Sequence, residues 1–328
     1  MRPRARRRRR RSSPGDQRRQ PSRRLRLCRP SLASVHDLFI ADKASYEPFP
    51  RGSPTRHQVS ASPYEAGTTT RYGQTPMHIL VTNDDGVESP GIRVLTVALA
   101  AAGHDVVVVA PTSERSGTGA SIGLMHRSNP IPCRTTSWPE LPKVPVHAID
   151  APPAAATYVG CLGAFGPRPD IVVSGINRGA NTGHLVIHSG TVGAALTAAA
   201  LGLPAIAVSL AFDVDLHWET AAAVATAAVP WTAERSQPPR LLNINTPTCP
   251  LIELRGVQET VLAPYQELWE THADPYEVRL EYVGRGADPP DGTDVAALRA
   301  GYASVTQLCS VSPVPSSDAA TAIAALLG

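Results

Sequence analysis

Three features of the 328-residue sequence predict an α/β fold built on a mostly parallel sheet: short β-branched runs, Ala-rich helical stretches alternating with them, and polar loops after the strands. His78–Thr82 reads as the first strand, followed by a helix over Gly91–Ala102 that stops at Gly103. Asp105–Ala110 is a second strand, whose unbroken Val run implies burial on both faces. Ile171–Ser174, Ala205–Leu210 and Leu241–Ile244 repeat the strand signal, and Val192–Leu201 and Trp218–Ala228 repeat the helical one. The alternation then weakens. Residues 251–285 carry a strand-like apolar and polar alternation, clearest over Tyr276–Tyr282, which predicts a β-hairpin extension toward the C-terminus. A last helix is expected over Asp318–Leu327, and no internal repeat is present.

The apolar content of 42% is enough for a sizeable core. Charge is divided unevenly along the chain. Residues 1–76 hold 18 Lys and Arg against five Asp and Glu, whereas the remainder holds 13 against 23. An acidic domain repels free polyanions, so a phosphate-bearing substrate needs a metal ion or local backbone donors. Residues 1–76 are rich in Arg, Pro, Ser, Thr and Gly without apolar periodicity and read as a disordered extension. Arg2–Arg29 has the charge of a nucleic-acid tether. The plainer reading, preferred here, is an upstream stretch ahead of a natural start at Met77, which directly precedes the first strand. Residues 77–328 then form the folded domain.

The five cysteines are widely spaced with no C-x-x-C pair, which fits a reducing, cytoplasmic setting. The longest apolar stretches, such as Ala194–Leu203, fall short of the ~20 residues of a membrane span. The Arg run at 6–11 is followed by polar residues and not by the apolar region of an export signal.

Three strands end in loops of polar oxygen donors: Asn83, Asp84, Asp85 and Gly86 after the first; Arg115, Ser116 and Gly117 after the second; Asn177, Arg178 and Gly179 after the Ile171 strand. In an open parallel sheet such loops share one edge, where ligands bind. Together they bring two carboxylates, a hydroxyl and a carboxamide, a set that suits Mg²⁺ or Mn²⁺ better than zinc or copper. Adjacent carboxylates are costly unless a cation is shared between them. Alone, the Asp-Asp-Gly stretch is equally an Asp-Gly turn with a helix cap. Ser189, Gly190 and Thr191 open a helix and can hold an anion, although such a triplet is more often a plain N-cap.

The stretch from Met77 through Asp84, Asp85 and Gly86 to Ile92 resembles the first signature block of the SurE family. The blocks Val109–Pro111, Glu114–Gly117, Val173–Asn177, Asn181–Gly183, His188–Val192, Leu242–Pro247 and Gly301–Val305 follow in matching order over about the whole of 77–328. The resemblance implies a Rossmann-like core, a β-rich extension used in homodimer or homotetramer assembly, and one divalent cation per subunit. It implies a 5′-nucleotidase acting on nucleoside monophosphates, sometimes with exopolyphosphatase activity. Carried over by position, Asp84, Asp85, Ser116 and Asn177 are the metal ligands. Gly117, Asn181, Ser189 and Thr191 would orient phosphate oxygens, with Asp84 or Asp85 aligning the attacking water.

Three places depart from the family pattern: Ala151–Ala156 around Ala155, then Leu185, then Thr197. They bear on substrate range and on support of the site. A haloacid-dehalogenase-like phosphatase with Asp84 as nucleophile needs Asp-x-Asp, and here the acids are adjacent. A serine hydrolase on Ser189 lacks Gly-x-Ser-x-Gly, and His184 and His188 read as loop or interface residues. From another class, the chain could be a non-catalytic nucleotide- or polyanion-binding module led by its Arg tail.

Overall fold

Strand β1 (His78–Thr82) divides its side chains between two apolar clusters, with Ile79 and Val81 in one and Leu80 in the other. Burial on both faces explains the apolar run and places β1 inside a sheet covered by helices on each side. The computed structural model describes residues 75–123, 130–234, 240–264, 267–285, 288–311, 321 and 323–324.

After β1 come β2 (Asp105–Pro111), β3 (Cys133–Trp138), β4 (Leu141–Ile149), β5 (Ile171–Arg178), β6 (Ala205–Leu210), β7 (Leu241–Thr246), β8 (Val257–Glu259), β9 (Glu267–Ala273), β10 (Val278–Arg285) and β11 (Ala303–Leu308). Nine of them form one sheet in the order β3-β4-β2-β1-β5-β6-β7-β11-β8. β1 pairs in parallel with β2 on one side and β5 on the other. The chain therefore builds outward from β1 to β4, then returns to lay β5 on the opposite edge. That reversal is the crevice where open α/β sheets bind ligands. β9 and β10 make the expected antiparallel hairpin apart from this sheet.

Helices α1 (Pro90–Ala101) and α4 (Trp218–Ala233) bury Ile92, Leu95, Leu99, Ala221 and Ala225 with Ile79 and Val81. α2 (Pro153–Cys161) and α3 (Gly190–Ala200) bury Ala155, Ala156, Val192, Ala195 and Ala198 with Leu80 on the other face. Pro90 starts α1, where a missing N–H costs nothing, and Gly103 at φ 91° follows its end. A short α5 (Asp294–Arg299) precedes β11.

The strands and helices expected up to Leu241–Ile244 are present, β5 runs on to include Asn177 and Arg178 that were expected in its loop, and β8, α5 and β11 were not anticipated. β3, β4 and α2 were not anticipated either: β3 is short and mostly exposed, without an apolar run, and prolines mask β4 and α2. In β4, Pro142 and Pro145 precede Val146, where pairing with β2 begins, so neither removes a ladder bond to that neighbour. In α2, Pro152 is the N-cap and Pro153 the first helical residue, positions that favour proline. α4 continues past Ala228 through Pro230, with Val229 and Thr232 buried in its extra turn. The helix expected over Asp318–Leu327 lies outside the described residues except for 321, 323 and 324, which are helical. Residues 1–74 of the N-terminal extension also lie outside them.

Candidate active site

The ends of β1 and β5 meet the start of α3, and the turn after β1 is fixed by its own side chains. Asn83 Nδ2 donates to Gly86 O at 2.9 Å and to Ser89 Oγ at 2.7 Å. Gly86 sits at φ 94°, where a Cβ would come within 3.1 Å of Ser113 backbone. The Arg115 N–H donates to Asp84 O at 2.7 Å, which ties the loop after β2 to this turn.

Asp84 is 3% exposed, and its Oδ1 accepts from Thr191 Oγ1 at 2.5 Å. The backbone N–H groups of Gly190 and Thr191 also stabilise its charge. The anion at the N-terminus of α3 is therefore a carboxylate of the chain itself. Gly190 permits the approach, since a Cβ there would lie 2.8 Å from Asp84 Oδ2 and 3.0 Å from Pro153 Cγ. Burial still pushes the Asp84 carboxyl above the usual carboxylate range, against the pull of Thr191 and the helix end.

Asp85 is half-buried, and its carboxyl is pushed up to about 6, first by burial and then by the charge of Asp84. The Arg178 N–H, 3.3 Å from Asp85 Oδ2, opposes that shift and joins the β1 end to β5. Two neighbouring carboxyls held above their ordinary range mark a place short of positive charge.

The remaining expected ligands are chain neighbours of residues bonded to this pair, Ser116 next to Arg115 and Asn177 next to Arg178. Asn177 Nδ2 donates to Gly179 O at 2.8 Å, which leaves the carboxamide oxygen without a hydrogen bond among the described residues. Ser116 is exposed, and its hydroxyl donates to Glu114 Oε1 at 3.0 Å. Among the described residues no group of three or more His, Cys, Asp or Glu is placed to hold a metal. A cation here would draw on two carboxylates and neutral oxygens. That donor set, with its uncompensated buried charge, fits Mg²⁺ or Mn²⁺.

The residues expected to orient phosphate divide into two kinds. Gly117 is exposed at φ 77° with open space around it. Ser189 Oγ caps α3 by accepting from the Val192 N–H at 3.1 Å and keeps its own hydrogen to donate. Thr191 gives its hydroxyl to Asp84. Asn181 is locked by its N–H to Asn245 Oδ1 at 2.7 Å and its Nδ2 to Ser209 Oγ at 2.8 Å, while its carbonyl accepts from Asn243 and Asn245.

Among the departures, Ala155 is fully buried in the α2–α3 core, and Thr197 bonds back to Gly193 O at 2.8 Å. Leu185 lies in the 3₁₀ turn Gly183–His188 that leads into α3.

The sequence reading gave no role to Asp294, which is fully buried. Its carboxylate accepts from the Gly183 N–H at 2.8 Å and the Ala263 N–H at 2.9 Å, binding the turn before α3 to the base of the hairpin. Its visible signal is a Thr293-Asp294 helix start; the partner 111 residues away is invisible in sequence.

The family model described as "Survival protein SurE" matches residues 79–268. The 5′-nucleotidase SurE of Desulfitobacterium hafniense is 40% identical over 237 residues, covering 71% of this chain and 90% of that protein. The corresponding protein of Geobacter metallireducens is 41% identical, covering 71% and 91%. The 5′/3′-nucleotidase SurE of Edwardsiella ictaluri is 40% identical, covering 71% and 89%. The crystal structure of the SurE protein from Aquifex aeolicus superposes with a TM-score of 0.59 at 33% identity, covering 70% of this chain and 92% of that one.

Proposed function

The chain belongs to the SurE family, and from that premise we propose that it is a phosphoric monoester hydrolase that converts nucleoside 5′-monophosphates to nucleoside and inorganic phosphate. The observation that carries this reading is the adjacent pair Asp84 and Asp85, both lifted by burial, at the reversal point of a parallel sheet. The names of the related proteins point to the same substrate class.

Asp84, Asp85, Asn177 and Ser116 would hold one Mg²⁺ or Mn²⁺ ion. When bound, such a cation offsets charge on the phosphoryl oxygens as the P–O bond breaks. The chain's own groups do the rest. Thr191 and the α3 N-terminus fix Asp84, so Thr191 acts on substrate through that carboxylate. Asp85 is the more open of the two, and it orients the attacking water and takes its proton. The Gly117 N–H, the Ser189 hydroxyl and the second amide hydrogen of Asn181 orient the phosphate oxygens. The haloacid-dehalogenase-like and serine-hydrolase alternatives give way to family membership. Polyphosphate is a second substrate to assay, by the same resemblance.

We place the enzyme in the cytoplasm, acting as a homodimer or homotetramer. Among the described residues no helix is long and apolar enough to cross a membrane. The β9–β10 hairpin exposes Tyr276, Val278 and Leu280, and an isolated two-stranded hairpin is marginal without a partner surface. Residues 77–328 are the catalytic unit in this account, so removing 1–76 leaves turnover unchanged.

Phosphate release from 5′-AMP with Mn²⁺, by the full chain and by residues 77–328, tests the reading. Turnover by both that stops in EDTA is expected. Full activity in EDTA overturns the cation assignment, and no turnover with any divalent ion leaves the non-catalytic module.

A further inference from the structure

Three fully buried polar side chains, Ser209 in β6 and Asn243 and Asn245 in β7, converge on Asn181. Alternation along the two strands puts all three on one face of the sheet. Ala205, Ala207 and Leu241 pack in the cluster with α2 and α3, while Ile206, Val208, Leu242 and Ile244 pack in the opposite one. Ser209, Asn243 and Asn245 therefore stand on the α3 face, toward the strand ends that carry the site. In register, Asn177, Ser209 and Asn245 lie opposite one another on β5, β6 and β7. A polar row thus crosses the sheet beneath the segment that leads from Asn177 to Asn181.

The grip on Asn181 has two parts. Asn245 holds its backbone, with Oδ1 accepting from the Asn181 N–H at 2.7 Å and Nδ2 donating to the Asn181 O at 3.0 Å. Asn243 Nδ2 donates to the same carbonyl at 2.8 Å. A carboxamide bonded to both backbone groups of one residue fixes that residue's φ and ψ, and with them the direction of its Cα–Cβ bond. Ser209 holds the side chain, its Oγ accepting from Asn181 Nδ2 at 2.8 Å. A primary amide carries two hydrogens, so the second is left in a set orientation. The fold does not need this arrangement. Asn243 Oδ1 is buried without a hydrogen-bond partner among the described residues, which is a cost. Apolar residues in these places, like Leu242 and Ile244 on the opposite face, would avoid it.

We propose that Ser209, Asn243 and Asn245 are positioning residues for phosphate binding: they act through Asn181, aiming its free amide hydrogen at a phosphate oxygen. The proposal rests on the nucleotidase reading, which assigns that hydrogen to the phosphate. Asn181 itself is half-buried, and the three residues behind it are fully enclosed, so they reach a ligand only through it.

A double-mutant cycle separates aiming from folding. It is read in kcat/KM for 5′-AMP and in the binding of inorganic phosphate by calorimetry with Mg²⁺ present, which needs no turnover. Asn181→Ala should lower kcat/KM about 10- to 100-fold, the range of one hydrogen bond to a charged group. Ser209→Ala and Asn245→Ala should each lower it about 3- to 10-fold. Added to Asn181→Ala, neither should lower it by more than about a further twofold, because no amide is left to aim. Phosphate affinity should follow the same pattern. Thermal melting provides the contrast. Asn245→Ala unpairs backbone groups of residue 181 that remain in Asn181→Ala, so it should lower Tm equally in both backgrounds. Ser209→Ala removes one hydroxyl and carries the cycle alone if Asn245→Ala does not fold. Losses that multiply in the double variants overturn the proposal, as does native kcat/KM and phosphate affinity in Ser209→Ala or in Asn181→Ala. Phosphate binding that obeys the cycle in a protein that hydrolyses no phosphomonoester would uphold the positioning role and sink the nucleotidase reading. A native protein that neither hydrolyses 5′-AMP nor binds phosphate overturns both.

Discussion

The two sides of the catalytic pair are built differently. On the α3 side, Asp84 is sealed against a helix end with no room for a methyl group, and Thr191, Gly190 and Pro153 close around it. On the other side, Ser116, Gly117, Arg178 and Phe212 are exposed, and Gly117 has open space where a side chain would go. A charge that must stay fixed is held by packing, which tolerates no change of volume. The exposed groups stand at the end of β5 and on loops, where a change of side chain is accommodated more easily. Substitutions on the closed side should therefore damage fold and chemistry together, and those on the open side should alter chemistry alone.

Gly190→Ala is the harshest test, because its methyl would press on Asp84 Oδ2 from 2.8 Å. We expect a loss of stability of about 1–3 kcal/mol from overpacking and a fall in kcat of roughly 100-fold from the displaced carboxylate, read by thermal melting and phosphate release. Near-native kcat would mean that Asp84 need not be held where it is. Asp294→Ala probes the same side at a distance. It leaves the Gly183 and Ala263 N–H groups unpaired, for a cost of about 2–4 kcal/mol by denaturant unfolding. An unchanged midpoint would show that the turn before α3 does not depend on Asp294.

Asp85→Asn should move stability in the opposite direction. A carboxyl raised from 3.8 to about 6 by burial holds its proton more tightly when folded, so its ionisation destabilises the protein increasingly from pH 4 and fully above pH 6. With EDTA at pH 7.5 the Asn variant should be more stable by about 1–2 kcal/mol, after allowing for partial exposure, and the gain should vanish below pH 4. A variant less stable than the native chain at pH 7.5 would contradict the charge-poor reading of the pair. Ser116→Ala is the mildest. It should change stability by less than about 0.5 kcal/mol while raising the Mn²⁺ concentration for half-maximal activity. A large stability loss would mean that the open side is not open.

The same division explains what could be read from the sequence. The strands from β1 to β7 that carry unbroken apolar runs were legible, as were the loops after β1, β2 and β5, because Asp-Asp-Gly and its companions are local patterns. That Asp84 would fill the N-terminus of α3 was not, since Thr191 stands 107 residues away and a Ser-Gly-Thr helix start looks equally ready for a substrate phosphate. Prolines hid β4 and α2, because in β4 their harmlessness depends on which neighbour each faces and in α2 on their place at the helix start. Arg178 was visible but was read as a loop residue where it ends β5, and nothing local foretold its stack on Phe212.

The central claim is that Asp84 and Asp85 serve phosphate release as a fixed pair of carboxylates around a cation and not as a nucleophile. Phosphate release from 5′-AMP across a Mn²⁺ titration, for the native chain, Asp84→Asn and Asp85→Asn, tests it most directly, with borohydride trapping at each point. Asn retains an oxygen and loses the charge, so each variant should need more Mn²⁺ and regain part of its activity at the highest concentrations, with no trapped adduct in the native enzyme. An Asp84→Asn variant inactive at every Mn²⁺ concentration, together with a borohydride-trapped aspartyl-phosphate at Asp84 in the native chain, would contradict the account.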